Sequence, residues 1–210
     1  MKNKIFSLLF ILAAATSRAG AAELKLFNGK DLKGWTDVSA APAKKTPRVW
    51  SAEGGTLRCL GMPMGYLRTD RSFKNFVLTL EWRYPAGKPA GNSGVMLRLQ
   101  APDKVWPASV EVQLHSGDAG DLWGVETFPL HGDPARTAGR RVKKFAASNE
   151  KPAGSWNRCE VRAEGGTLTV TVNGLLQNRA EDRAVLSGPI ALQAEGSEIE
   201  FRNIRLKELK

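Results

Sequence analysis

The chain has 210 residues, 42% of them hydrophobic and 25% charged, with a formal charge of +10, two cysteines and two histidines. That length suits one domain with an apolar core that needs no disulfide staples. The basic balance does not point to nucleic acid: the densest cluster, Arg140, Arg141, Lys143 and Lys144, lacks interleaved aromatic residues and reads as a solvated loop or an anion-binding patch.

The N-terminus runs from basic residues (Lys2, Lys4) through an apolar stretch (Ile5 to Ala15) to small residues around Ala19, Gly20 and Ala21. That order is a secretory signal peptide, expected at 1–21 and cleaved after Ala21. The stretch is shorter than the roughly 20 residues needed to span a bilayer. No cysteine precedes Cys59, so no lipid attachment is expected. Residues 22–210 are then expected as one periplasmic or secreted domain with no membrane partner. Nothing in the sequence fixes an oligomeric state.

From there the pattern is short alternating strands. Asn28-Gly29 and Gly54-Gly55 mark turns. Phe76, Leu78, Leu80 and Trp82 oppose Val77, Thr79, Glu81 and Arg83. Val95, Leu97 and Leu99 oppose Met96, Arg98 and Gln100; Val110, Val112 and Leu114 oppose Glu111, Gln113 and His115. Leu168, Val170 and Val172 precede Asn173-Gly174, a two-residue hairpin signal that needs positive φ. Ile190, Leu192 and Ala194 oppose Ala191, Gln193 and Glu195. Period-two alternation repeated this often predicts half-buried antiparallel strands in a two-sheet sandwich or jelly roll, with one helical turn at most, at Asp182–Leu186. Cys59 and Cys159 both fall at inward positions, as a disulfide or as two buried thiols.

If the strands at 76–83, 94–100 and 110–115 are neighbours, Glu81, Arg83, Arg98, Glu111, Gln113 and His115 share one dense polar face. A carboxylate, an amide and an imidazole spaced two apart (Glu111, Gln113, His115) can supply a base, an orienting hydrogen-bonder and an acid. Asn92-Ser93-Gly94 reads as a turn that orients Arg98, with Asn92 within reach of a ligand. Trp106 and Trp123 are expected in loops flanking this strand, Trp123 for stacking on a ring, while Trp35, Trp50, Trp82 and Trp156 read as core. Gln193 is expected on the same polar face. His115, Asp118, Asp121 and His131 show no recognised metal-ligand spacing, so no metal or cofactor is expected, although a calcium held by loop carboxylates stays open.

Several segments occur together in order: Leu26-Phe27-Asn28-Gly29-Lys30-Asp31-Leu32 before Gly34-Trp35, Leu80-Glu81-Trp82-Arg83, Gly91-Asn92-Ser93-Gly94-Val95, Glu111-Val112-Gln113, Gly188-Pro189-Ile190-Ala191-Leu192-Gln193 and Phe201-Arg202-Asn203-Ile204. The set resembles the 3-keto-disaccharide hydrolase family. The resemblance implies a concanavalin A-like lectin/glucanase jelly-roll β-sandwich of two antiparallel sheets. Its concave sheet would hold a carbohydrate and act on glycosides oxidised at C3. It also makes Glu111 and Gln113 the match to the family's Glu-x-Gln strand. Relatives carry an aspartate near the position of Ser116, followed by a Gly-Ala-hydrophobic-Tyr stretch; this chain reads Ser116-Gly117-Asp118-Ala119-Gly120-Asp121-Leu122-Trp123 instead.

A C3 ketone acidifies the C2 proton, so the expected route is proton abstraction and elimination at C1 followed by hydration. Glu111 and His115 are the expected catalytic groups; Arg98, Arg83, Glu81, Gln113, Asn92, Trp123 and Gln193 are the expected substrate contacts. Two alternatives stand beside it: a non-catalytic lectin-like module, and a conventional glucanase. The glucanase needs a second carboxylate, which the Glu111 strand lacks and which only Glu81 could supply if its strand paired with that of Glu111.

Overall fold

The computed structural model describes residues 22–40 and 48–210; the expected signal peptide lies outside the described residues. The strands, in chain order, are β1 (Glu23–Lys25), β2 (Trp35–Ser39), β3 (Trp50–Glu53), β4 (Thr56–Cys59), β5 (Gly65–Thr69), β6 (Phe76–Arg83), β7 (Gly94–Leu97), β8 (Ser109–Gln113) and β9 (Leu122–Val125). They continue as β10 (Leu130–His131), β11 (Thr137–Ala138), β12 (Arg141–Val142), β13 (Asn157–Glu164), β14 (Thr167–Val172), β15 (Leu175–Asp182), β16 (Ala191–Ala194) and β17 (Ile199–Glu208). A 3₁₀ turn at Pro134–Arg136 is the one helical element among the described residues. Asp182–Leu186 forms no helix; the Asp182 carboxylate instead caps the Ala184 and Val185 amides.

Two antiparallel sheets result. The first runs β10-β15-β14-β13-β6-β17-β4-β3, with β1 also paired to β17; the second runs β11-β12-β9-β8-β7-β16-β5-β2. The alternating apolar residues of both sheets interleave in one core: Leu78, Leu80, Trp82, Val161, Val170 and Phe201 from the first meet Leu67, Val95, Leu97, Val110, Val112 and Leu192 from the second. Each such side chain contributes roughly 1.5–3 kcal/mol through its removal from water. The Asn173-Gly174 hairpin joins β14 to β15 with both φ angles positive, 47° and 83°, the geometry that matches right-handed strand twist. Cys59 and Cys159 are free and buried in the first sheet, and burial pushes both thiols up to about 12.

The sandwich separates strands that the sequence reading set side by side. β6 lies in the first sheet and pairs with β13 and β17, whereas β7 and β8 lie in the second. Glu81 and Arg83 therefore face solvent from the opposite layer. There Glu81 is bound by Arg202 at 2.6 Å and Arg83 by Glu200 at 2.6 Å. Trp156, expected in the core, is half-buried on that face, with the Arg83 and Arg202 guanidiniums 4.4 Å and 4.1 Å from its ring centroid. Alternation reports which way a side chain points relative to its own sheet, but not which sheet the strand joins.

Arg98 is the second departure. Its φ of 60° interrupts the alternation one residue beyond β7. Arg98 consequently turns inward, fully buried, to pair with the equally buried Asp182 at 2.8 Å, and it donates to the Lys74 and Leu186 carbonyls. Leu99 is displaced to the other face, where it packs with Tyr66, Met96 and Ala191. Arg98 thus ties the end of β15 to the end of β7 and offers nothing to a ligand.

Candidate active site

The outer face of the second sheet is read directly from its register. One row crosses seven strands: Arg141 opposes Trp123, Trp123 opposes Glu111, Glu111 opposes Met96, Met96 opposes Ala191, Ala191 opposes Arg68 and Arg68 opposes Thr36. The next row brings Gln113 opposite Gly94, with Gln193 opposite Tyr66. A cavity of ≈ 400 Å³ opens where these rows meet β8 and β9, within the range of small-ligand sites. Glu111 and Gln113 form its floor from β8, Trp123 and Val125 come from β9, and Asn92 and Glu195 come from the segments flanking β7 and β16. Trp106 enters from the connection between β7 and β8, and Arg140 from the tip of the β11–β12 hairpin.

Small residues let these groups converge. A Cβ at Gly94 would collide with the side-chain oxygens of Gln193 and Glu111, and one at Gly91 with the Ser197 side chain. The Gly91-Asn92-Ser93-Gly94 run is extended entry into β7, not a turn aimed at Arg98. Its role is close approach: the Ser197 hydroxyl accepts from the Asn92 amide at 3.1 Å, and the Ser93 hydroxyl donates to the Gln193 carbonyl at 2.9 Å. The β7–β8 connection is pinned over the sheet by Asp103, which accepts from Arg68 Nη2 at 2.9 Å and from the Tyr66 hydroxyl at 3.1 Å. That clamp holds the segment carrying Trp106 against the cavity.

Glu111 is 8% exposed. Burial, then the charge of Glu195, push its carboxyl up to about 8, against the nearby Gln193 amide and the charge of Arg140, which both lower it. Burial also raises the Glu195 carboxyl. Buried polar atoms of Asn92 (Oδ1), Glu111 (Oε1), Trp123 (Nε1), Gln193 and Glu195 (Oε2) lack partners among the described residues. Buried polar atoms are normally paired, and four of these five residues line the cavity, which makes it the candidate site. Gln113 differs, because its Oε1 accepts from the Leu114 and His115 amides at 3.0 Å and 2.8 Å and so fixes the strand's exit.

The structure thus brings together Glu111, Gln113, Asn92, Trp123 and Gln193, and separates Arg98, Arg83 and Glu81 from them. His115 also falls outside: β8 ends at Gln113, and His115 is exposed, with Nδ1 3.6 Å from Asp118 Oδ2. Trp123 belongs to a strand rather than a loop, and the Arg141 guanidinium sits 5.4 Å from its ring centroid. Of the basic cluster, Arg141 is committed to Asp121, Nε to Oδ2 at 2.6 Å, and Lys144 donates its amide to the same carboxylate at 2.7 Å. Sequence reasoning missed Glu195 and Arg140 as wall residues, whereas Trp106, expected in a loop flanking the Glu111 strand, does line the cavity. Glu195 continues the outward phase of Gln193, which was the available signal; Arg140 lies in a hairpin tip that no periodicity marks. Among the described residues no group of three or more His, Cys, Asp or Glu is placed to hold a metal ion.

The sequence profile of the 3-keto-alpha-glucoside-1,2-lyase-like domain matches residues 23–207. The chain is 25% identical to a 3-keto-disaccharide hydrolase of Bacteroides thetaiotaomicron, over 89% of this chain and 78% of that protein. Among solved structures, a Parabacteroides distasonis protein provisionally assigned to the glycosyl hydrolases superposes with a TM-score of 0.65 at 22% identity, covering 95% of this chain and 99% of that one. The carbohydrate-binding module CBM66 of Bacillus subtilis gives 0.62 at 15% identity, covering 86% and 98%. The Bacillus licheniformis β-glucanase gives 0.57 at 14% identity, covering 92% and 100%, and with it the jelly-roll architecture expected from the strand pattern.

Proposed function

The chain belongs to the 3-keto-alpha-glucoside-1,2-lyase-like family, and from that premise we propose that it is an exported enzyme cleaving glycosides oxidised to a ketone at C3, at the cavity around Glu111. The observation that carries the reading is the presence of Glu111 and Glu195 in one cavity, both carboxyls raised by burial, beside unpartnered amide groups and two tryptophans. A carboxylate of raised pKa is a stronger base than a surface one, which suits removal of a weakly acidic C2 proton.

In this reading Glu111 takes the C2 proton, and the electron pair moves into an enolate whose charge rests on the C3 oxygen. The enolate expels the C1 oxygen, which takes a proton from Glu195. Water then adds, hydroxyl to C1 and proton to C2, and the net result is hydrolysis. Asn92 and Gln193 hold the sugar hydroxyls, and Trp123 and Trp106 offer apolar ring surface. Cleavage of the signal peptide at 1–21 would deliver the enzyme to the periplasm or medium.

The paired carboxylates also favour one second reading, direct glycoside hydrolysis with an acid and a nucleophile. Incubation with 3-keto-glucosides beside their unoxidised parents separates the two. The elimination reading expects cleavage of the keto-glycosides alone, with solvent deuterium entering C2. Cleavage of the parents at equal rate overturns it in favour of the glucanase reading, and binding without turnover of either overturns it in favour of a lectin-like module.

A further inference from the structure

Among the described residues Arg140 is the one cation that lines the cavity, and the sequence places it in a basic cluster that reads as a solvated loop or an anion-binding patch. It stands at the tip of the β11–β12 hairpin beside Gly139, whose φ of 57° makes the turn, and its carbonyl accepts the Gly124 amide at 2.9 Å, fixing the tip to β9. Of its neighbours in the basic cluster, Arg141 is committed to Asp121 and Asp118, and Lys144 to Asp121 and the Gly117 carbonyl. Among the described residues no hydrogen bond or ion pair engages the Arg140 guanidinium. Glu126, which also lines the cavity, is already paired with Lys104. The charged groups acting on Glu111 are therefore Glu195 and Arg140, of opposite sign.

The chemistry assigned to the cavity leaves one requirement unmet by Glu111, Glu195, Asn92 and Gln193. Proton removal at C2 builds negative charge on the C3 oxygen, and none of these four groups carries a positive charge to meet it. A cation beside the developing charge supplies it, and electrostatic donors of this kind are among the largest contributors to catalysis. We infer that Arg140 receives the charge that develops on the C3 oxygen, so that the cavity recognises the oxidised sugar through an Arg140–Glu111 pair acting on adjacent carbons. The inference rests on the elimination reading above. It makes the ketone, rather than the leaving group, the feature that the wall reads.

The test compares wild type, Arg140→Met and Arg140→Lys on a 3-keto-glucoside, with solvent-deuterium exchange into C2 measured alongside turnover. Arg140→Met is expected to lower kcat and the C2 exchange rate together by about 10²–10³, and Arg140→Lys to recover part of both. Because the Arg140 charge lowers the Glu111 pKa, the rising limb of the pH–rate profile is expected to move to higher pH in Arg140→Met, a shift that a purely structural role would not produce. Exchange and kcat within about threefold of wild type, or a change confined to KM, overturns the role of Arg140 alone. A wild type that turns over no 3-keto-glycoside overturns the elimination reading and the inference with it. Circular dichroism and thermal melts of the three proteins establish that the comparison is between folded chains.

Discussion

Glu195, one residue beyond the end of β16, lines the same cavity as Glu111 in the middle of β8, and its charge adds to the burial that pushes the Glu111 carboxyl up to about 8. Two carboxyl groups in one partly dry site resist simultaneous ionisation. At neutral pH the pair therefore keeps at least one proton, the condition for one member to act as base and the other as acid.

Glu111→Gln is expected to lower turnover by about 10²–10⁴ while keeping the fold, because it preserves shape and removes only the titrating group. The stability effect has a definite sign. A carboxyl whose folded pKa lies above its unfolded value of 4.5 binds its proton more tightly in the folded state, so its contribution is full below pH 4.5 and is lost as pH rises toward 8. Glu111→Gln is thus expected to melt higher than wild type at pH 8 by the equivalent of about 2–4 kcal/mol, with the gap closing toward pH 5. A variant that melts lower at pH 8 would contradict the buried, proton-retaining carboxyl.

If Glu111 is the base, kcat/KM on a 3-keto-glucoside rises with pH and levels above about 8. Glu195→Gln removes the like charge and is expected to draw that limb to lower pH while slowing leaving-group departure. A profile that falls above 8 would instead make Glu111 the acid.

Gly94→Ala places a methyl group where the Glu111 and Gln193 oxygens lie. Overpacking of this kind costs about 1–3 kcal/mol, and displacement of both side chains is expected to reduce kcat/KM by far more than the loss of stability explains. Activity per folded molecule equal to wild type would show that the close approach is unnecessary.

Arg98→Met leaves the buried Asp182 carboxylate unpaired, since the two stand 2.8 Å apart with neither exposed. Breaking such a pair costs about 3–5 kcal/mol, read as a lowered denaturation midpoint. The surviving folded fraction is expected to retain its kcat, in contrast with a substitution on the cavity wall.

The strand pattern, the Asn173-Gly174 hairpin, the two-layer core and the pairing of Glu111 with Gln113 were legible in the sequence, because each follows from local rules: period-two alternation, positive-φ turn chemistry and the cost of leaving apolar side chains wet. The assignment of strands to sheets was not local. β6 and β7 are consecutive in the chain, yet they join opposite layers, and that choice carried Glu81 and Arg83 away from Glu111. Arg98 escaped as well, since a single φ of 60° inverted its direction without altering the sequence alternation. Glu195 and Arg140 reach Glu111 from a strand end and a hairpin tip distant in the chain, brought there by cross-strand register and turn geometry. The sequence by itself determined the alternation of apolar and polar positions along the strands; only the tertiary structure decided which polar groups meet, because their meeting depends on how the two sheets partition the strands.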